Sequence, residues 1–149
     1  MTATTHKSQL QWAQGLGYSG LIPFVALALS IWLLDPPDRL RSATALLAYG
    51  ASILSFLGAI HWGLVMCQTT SQSKNLLVWG VIPSLLAWIA LLINPIAGLY
   101  LVAAGLWACF AVDWVIYSRV GVQMWLPMRL VLTTVASLSC IAGAIGTMR

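Results

Sequence analysis

The sequence predicts an all-α integral membrane bundle of five transmembrane helices, and three observations carry that prediction. First, the 149 residues are 60% hydrophobic and 7% charged. A soluble domain needs roughly a quarter of its residues charged to cover its surface. Second, the apolar residues fall into five segments, near 16–34, 43–67, 76–93, 96–117 and 129–148. Each is close to the roughly 20 residues that cross a bilayer as a helix. Third, the breaks between segments are polar or proline-bearing: Asp35-Pro36-Pro37-Asp38, the stretch 68–75, Asn94-Pro95, and the amphipathic connector 118–128. The whole chain 1–149 is read as one transmembrane domain behind a short polar N-terminal tail, 1–14.

The first segment carries Gly20-Leu21-Ile22-Pro23, with Pro23 expected to kink the helix about two turns in. The second ends in Ala59-Ile60-His61-Trp62, which puts a histidine inside an apolar run. The third carries Gly80-Val81-Ile82-Pro83, with Pro83 as a second kink. The fourth ends in Ala111-Val112-Asp113-Trp114. A turn of only a few residues joins the third and fourth into a tight antiparallel hairpin. The fifth opens at Arg129. The two Gly-x-x-Pro motifs and the two Ala-x-(His/Asp)-Trp motifs suggest two copies of one helical hairpin plus a fifth helix. Two spans per copy makes such repeats parallel, related by an axis along the membrane normal. The Asp35–Arg41 stretch reads as a longer connector in the first copy.

Parity alone brings the chemistry together. The second and fourth helices run in the same direction, so His61 and Asp113 lie about 6–9 Å inside the same membrane face. Tyr18, Trp79 and Arg129 belong near that face too. An ionisable group in a membrane is rare and is a functional hypothesis by default. An Asp–His pair can fix a tautomer and hold or pass a proton. The candidates for ligand binding or proton handling are therefore His61, Asp113, Trp62, Trp114, Tyr117, Tyr18 and Arg129. The same residues also admit a structural reading, in which His61 or Arg129 hydrogen-bonds Asp113 and pins the bundle together. His61 is expected to be held by Asp113 or by the carbonyl that Pro83 frees, and not to face lipid.

Other chemistries lack their residues. Zinc wants three or four N, S or O ligands, and the core has one His, one Asp and Cys67, Cys109 and Cys140, with no CxxC. No metal site, catalytic residues or phosphate loop is read. The seven Lys and Arg are too scattered for a nucleic-acid footprint. Lys7, Lys74, Arg119 and Arg129 fall on the N-terminal side, against Arg39, Arg41 and Arg149 on the other. That bias places the N-terminus in the cytoplasm. Trp12, Tyr18, Trp32, Trp79, Tyr117 and Trp125 lie at span ends, as aromatic belts do.

The stretches LGYSGLIPF, YGASILSFLGAIHWG, WGVIPSLLAWIALLI and PMRLVLT resemble the sequence blocks of a domain-of-unknown-function family of small five-helix membrane proteins, found in bacteria and mitochondria, that includes the mitochondrial transmembrane protein 69. The resemblance runs from Gly15 to about Ala144, and the block around His61-Trp62-Gly63 is its most specific part. It implies a helical membrane fold and brings no activity with it. A tail without the Arg- and Ser-rich length of a transit peptide points to a bacterial inner membrane. The mitochondrial link points to energy-conserving complexes. Two functions remain open. One is a non-catalytic accessory subunit or assembly factor of a larger membrane complex, plausibly respiratory, or a homo-oligomer. The other is a small transport or ligand-binding protein whose His/Asp site takes a proton or a quinone headgroup. No cofactor beyond that quinone is implied.

Overall fold

The computed structural model describes residues 3–67 and 73–149, with side chains from 11–67 and 74–149. The expected polar turn 68–75 therefore lies largely outside the described residues. Among the described residues six α-helices follow one another: α1 (Ala3–Ser19), α2 (Leu21–Leu33), α3 (Pro36–Met66), α4 (Ser73–Leu92), α5 (Pro95–Val120) and α6 (Leu126–Thr147), with one 3-10 turn at Gln123–Trp125 before α6. Five stretches are long and apolar enough to cross a membrane, the first formed by the end of α1 together with α2. The protein is a multi-pass, all-helical membrane protein.

Pro23 does more than kink the first span. The helix breaks at Gly20, and Pro23 stands in the first turn of α2, where its missing N–H costs least. The hydroxyl of Tyr49 on α3 donates to the Gly20 carbonyl at 2.8 Å, so the break does not leave that group bare in the membrane. Pro83, in contrast, lies within an unbroken α4 and is fully buried.

The Asp35–Arg41 stretch is not a loop. Pro36 and Pro37 start α3, and Asp38 occupies its first turn and accepts from Arg41 at 3.0 Å. Prolines pre-set the helical φ at the first positions, and an acid suits the helix N-terminus. α5 starts likewise at Pro95, where the Asn94 side chain accepts from the Ile96 N–H. It ends at Gly121, whose φ of 78° is left-handed and lets the N–H groups of Gly121 and Val122 both reach the Tyr117 carbonyl.

In cross-section the helices run α2, α3, α4, α5, α6 and back to α2, and α3 also touches α5 and α6. α3, α5 and α6 form the inner layer. Ile31, Leu46, Leu54, Leu99, Val102 and Leu106 fill the centre. α3 and α4 cross most tightly at Gly58 and Gly80, where a Cβ on Gly58 would collide with the Gly80 carbonyl oxygen. Without a hydrophobic driving force between helices in lipid, such small residues bring backbones close enough for dispersion to act.

Candidate functional site

The three inner helices each contribute one charged or titratable side chain, and the three meet. His61 of α3 has no exposed surface, Asp113 of α5 is 2% exposed and Arg129 of α6 is 8% exposed. Arg129 Nε donates to Asp113 Oδ2 at 2.8 Å, and Nη2 donates to the same oxygen. His61 Nε2 stands 3.3 Å from the other oxygen, Oδ1. That distance is within ion-pair range, but Nε2 is off the line a hydrogen bond needs and makes none. We therefore treat the His61–Asp113 link as electrostatic and the Arg129–Asp113 link as the strong, charge-assisted one. His61 Nδ1 is 3.3 Å from the Leu57 carbonyl of its own helix. With the proton on Nδ1 it donates there, and a neutral ring then turns a bare Nε2 toward the carboxylate. A second proton, on Nε2, would be attracted by Asp113. The trio thus joins α3, α5 and α6 at one carboxylate.

His61 is held by its own turn and by Asp113, and not by the carbonyl that Pro83 frees. Pro83 packs instead against the α3–α4 crossing at Gly58. Trp62 does not join the trio. It is 39% exposed, and its Nε1 donates to the Leu77 carbonyl on α4 at 3.0 Å. Trp114 is 56% exposed and meets Phe110 edge-on, and Tyr18 is 44% exposed. These three have wide apolar faces that lipid can cover, so burial does not draw them inward. Tyr117 is buried, one turn beyond Asp113.

Beside the trio lies a cavity of about 430 Å³. Arg129 and Tyr117 stand on its wall, with Gly17 of α1, Phe24 of α2, Leu57 of α3 and Thr133 of α6. Arg129 thus belongs both to the buried ion pair and to the cavity. The remaining lining is almost wholly apolar. Ligand pockets have this make-up and this size, mostly apolar with a few placed polar groups.

The sequence reading passed over Thr133 and Ser137. Both are 2% exposed, and neither hydroxyl has a partner. The signal was present: Arg129, Thr133 and Ser137 recur every four residues and share one face of α6. Among the described residues, no group of three or more His, Cys, Asp or Glu could hold a metal ion.

Burial of Arg129 also changes the count of loop cations. Without it, Lys7, Lys74 and Arg119 stand against Arg39, Arg41 and Arg149, three to three. The charge bias then no longer favours either orientation.

Comparison with known proteins agrees with this architecture. Transmembrane protein 69 of Xenopus tropicalis is 34% identical over 138 residues, which cover 89% of this chain and 53% of the relative. The chain therefore spans about half the length of that relative. No solved structure matches. The family described as "Protein of unknown function (DUF3429)" matches residues 10–145. This chain, with its block around His61 on one of the three inner helices, belongs to that family.

Proposed function

We propose that the protein is a ligand-binding membrane protein whose intramembrane site takes the polar head of a lipid-soluble molecule. One observation carries the reading: Arg129 is shared between a buried ion pair and the wall of an apolar cavity. A structural pin alone needs no cavity against its charged member. A charge in the membrane interior is costly and is kept where it meets a partner or a pathway. Here Arg129, fixed from behind by Asp113, anchors the head.

The test uses the full chain in nanodiscs made with a total lipid extract, followed by native mass spectrometry. The expected result is a small lipophilic molecule retained at about one per chain by the wild type. The double variant Asp113→Leu/Arg129→Met, which removes both charges together and leaves neither orphaned, should fold and lose it. A wild type that retains nothing, or a double variant that retains the same molecule, sinks the reading.

A second reading, an accessory subunit or assembly factor of a larger respiratory complex, has one feature in its favour. Tyr100, Trp107 and Trp114 are 41%, 44% and 56% exposed and recur every seven residues along α5. They run through the membrane depth rather than only its edges, where Trp and Tyr usually gather. A stoichiometric protein partner in mild detergent would support it, and a chain that purifies alone from its native membrane would count against it. A bacterial inner membrane belongs to the same group of proposals.

A further inference from the structure

Among the described residues, six Ser and Thr hydroxyls donate to a carbonyl three or four residues back in their own helix: Ser19, Ser30, Thr44, Ser52, Ser118 and Thr147. This is the ordinary solution for a hydroxyl in an apolar helix. Ser137 and Thr133 depart from it, and of these two it is Thr133 that lines the cavity. Its hydroxyl is buried without a partner, and the residue stands on the cavity wall one turn from Arg129. A buried hydroxyl left without a hydrogen bond is costly. Its position beside a cavity points to a partner that arrives from outside the chain.

The charges narrow the chemistry of that partner. Asp113 accepts from two of the five N–H groups that a guanidinium carries, which leaves three as donors. The positive charge of Arg129 is already balanced by Asp113. An anionic head would feel the Asp113 carboxylate behind the guanidinium and be repelled by it, whereas an uncharged acceptor carries no charge for it to repel. Arg129 and Thr133, four apart on one helix face, have Cβ atoms about 5–6 Å from each other. They suit a head with acceptor oxygens on two edges. The rest of the cavity suits a hydrocarbon tail. Among the described residues α1 touches α2 and α6 but not α3. Leu16 on the α1 side and Phe56 on the α3 side line the cavity and are 69% and 63% exposed. The gap between these helices opens sideways, toward the acyl chains.

We propose that the cavity binds a tailed molecule with an uncharged, two-acceptor head of the quinone class, entering between α1 and α3, with its head oxygens accepting from Arg129 and Thr133. This rests on the ligand-binding reading above and adds the ligand class, the second anchor and the route.

The experiment titrates the full chain in nanodiscs with a decyl-tailed benzoquinone and reads quenching of tryptophan fluorescence, Trp125 being on the cavity wall. Oleate at pH 8 serves as the anionic comparison. Wild type should bind the quinone saturably and oleate at least tenfold more weakly. Thr133→Val, nearly equal in shape, should weaken quinone binding roughly fivefold to tenfold, the loss of one hydrogen bond. Thr133→Ser should stay within about twofold. Thermal unfolding of each variant confirms the fold. Equal quinone binding by wild type and Thr133→Val overturns the anchor, and oleate binding more tightly than the quinone overturns the uncharged head. In either case a retained native molecule would leave the broader ligand-binding reading standing. No saturable quinone binding by wild type overturns the quinone class.

Discussion

Asp113 joins two partners of unequal strength, and its removal exposes the inequality. Replacing it with Leu leaves Arg129 buried and unpaired, whereas His61 still has the Leu57 carbonyl for Nδ1. Breaking a buried pair from one side costs about 3–5 kcal/mol, while replacing both partners with apolar groups is often close to neutral. We therefore expect Asp113→Leu and Arg129→Met each to unfold at clearly lower temperature in detergent. The double variant should recover most of that loss. His61→Leu combined with Asp113→Leu should not recover, because Arg129 is still orphaned. A rescue by His61→Leu would mean that the histidine, and not the arginine, is the main partner. Tyr117→Phe should cost no more than about 1.5 kcal/mol, since it removes one buried hydroxyl and keeps the packing. Measured unfolding free energies check this directly.

At the scale of elements, the α3–α4 contact depends on two glycines facing each other, and the end of α5 depends on one. A methyl group at Gly58 meets the α4 backbone, which cannot move aside as a flexible side chain can. Gly58→Ala should cost about 1–3 kcal/mol, the usual range for overpacking. At Gly121 the space is open, and only the left-handed φ opposes a side chain. Gly121→Ala should therefore cost roughly 1 kcal/mol. The expected order of thermal stability is wild type, then Gly121→Ala, then Gly58→Ala. The reverse order would show that the crossing can loosen without penalty. The two hairpins, α2–α3 and α4–α5, both place an Asp or Asn before the proline that starts their second helix. They differ at Pro23, which follows a break, and Pro83, which does not. His61 lies 25 residues after Pro36 and Asp113 lies 18 after Pro95, a difference of about two turns that keeps both on the same helix face.

For the whole molecule, five spans put the N-terminus, the end of α3 and the end of α5 on one side, and the start of α3 on the other. Cys67 is exposed at the first of these sides, while Cys109 and Cys140 are buried, so the native chain carries its own reporter. An impermeant maleimide should label Cys67 from a single side. A cysteine placed at Ser118 in a Cys67→Ser background should react from that same side, and one placed at Asp38 from the opposite side. Labelling of Ser118→Cys and Asp38→Cys from the same side would break the five-span arrangement. Labelling of Cys67 from the cytoplasm would put the N-terminus there.

The class, the number of spans and the shared membrane face of His61 and Asp113 were legible in the sequence. Length and hydropathy decide how often a chain must cross a bilayer, and parity then decides which helix ends share a face. It also marked Arg129 and Tyr117, because a charge or hydroxyl beside an apolar span stands out. Which polar groups are partners and which face lipid emerged from the packing of the helices. Trp62, Trp114 and Tyr18 look like site residues in one dimension, yet helix rotation turns them outward, and rotation is set by packing that spacing alone does not fix. For the same reason Arg129, counted as a span-end cation and also as one of two candidate partners, became the strongest partner of Asp113, and Thr133, an ordinary residue in the sequence, became a buried hydroxyl beside a cavity. A hydroxyl gains meaning only when its usual bond, to its own helix, is seen to be missing.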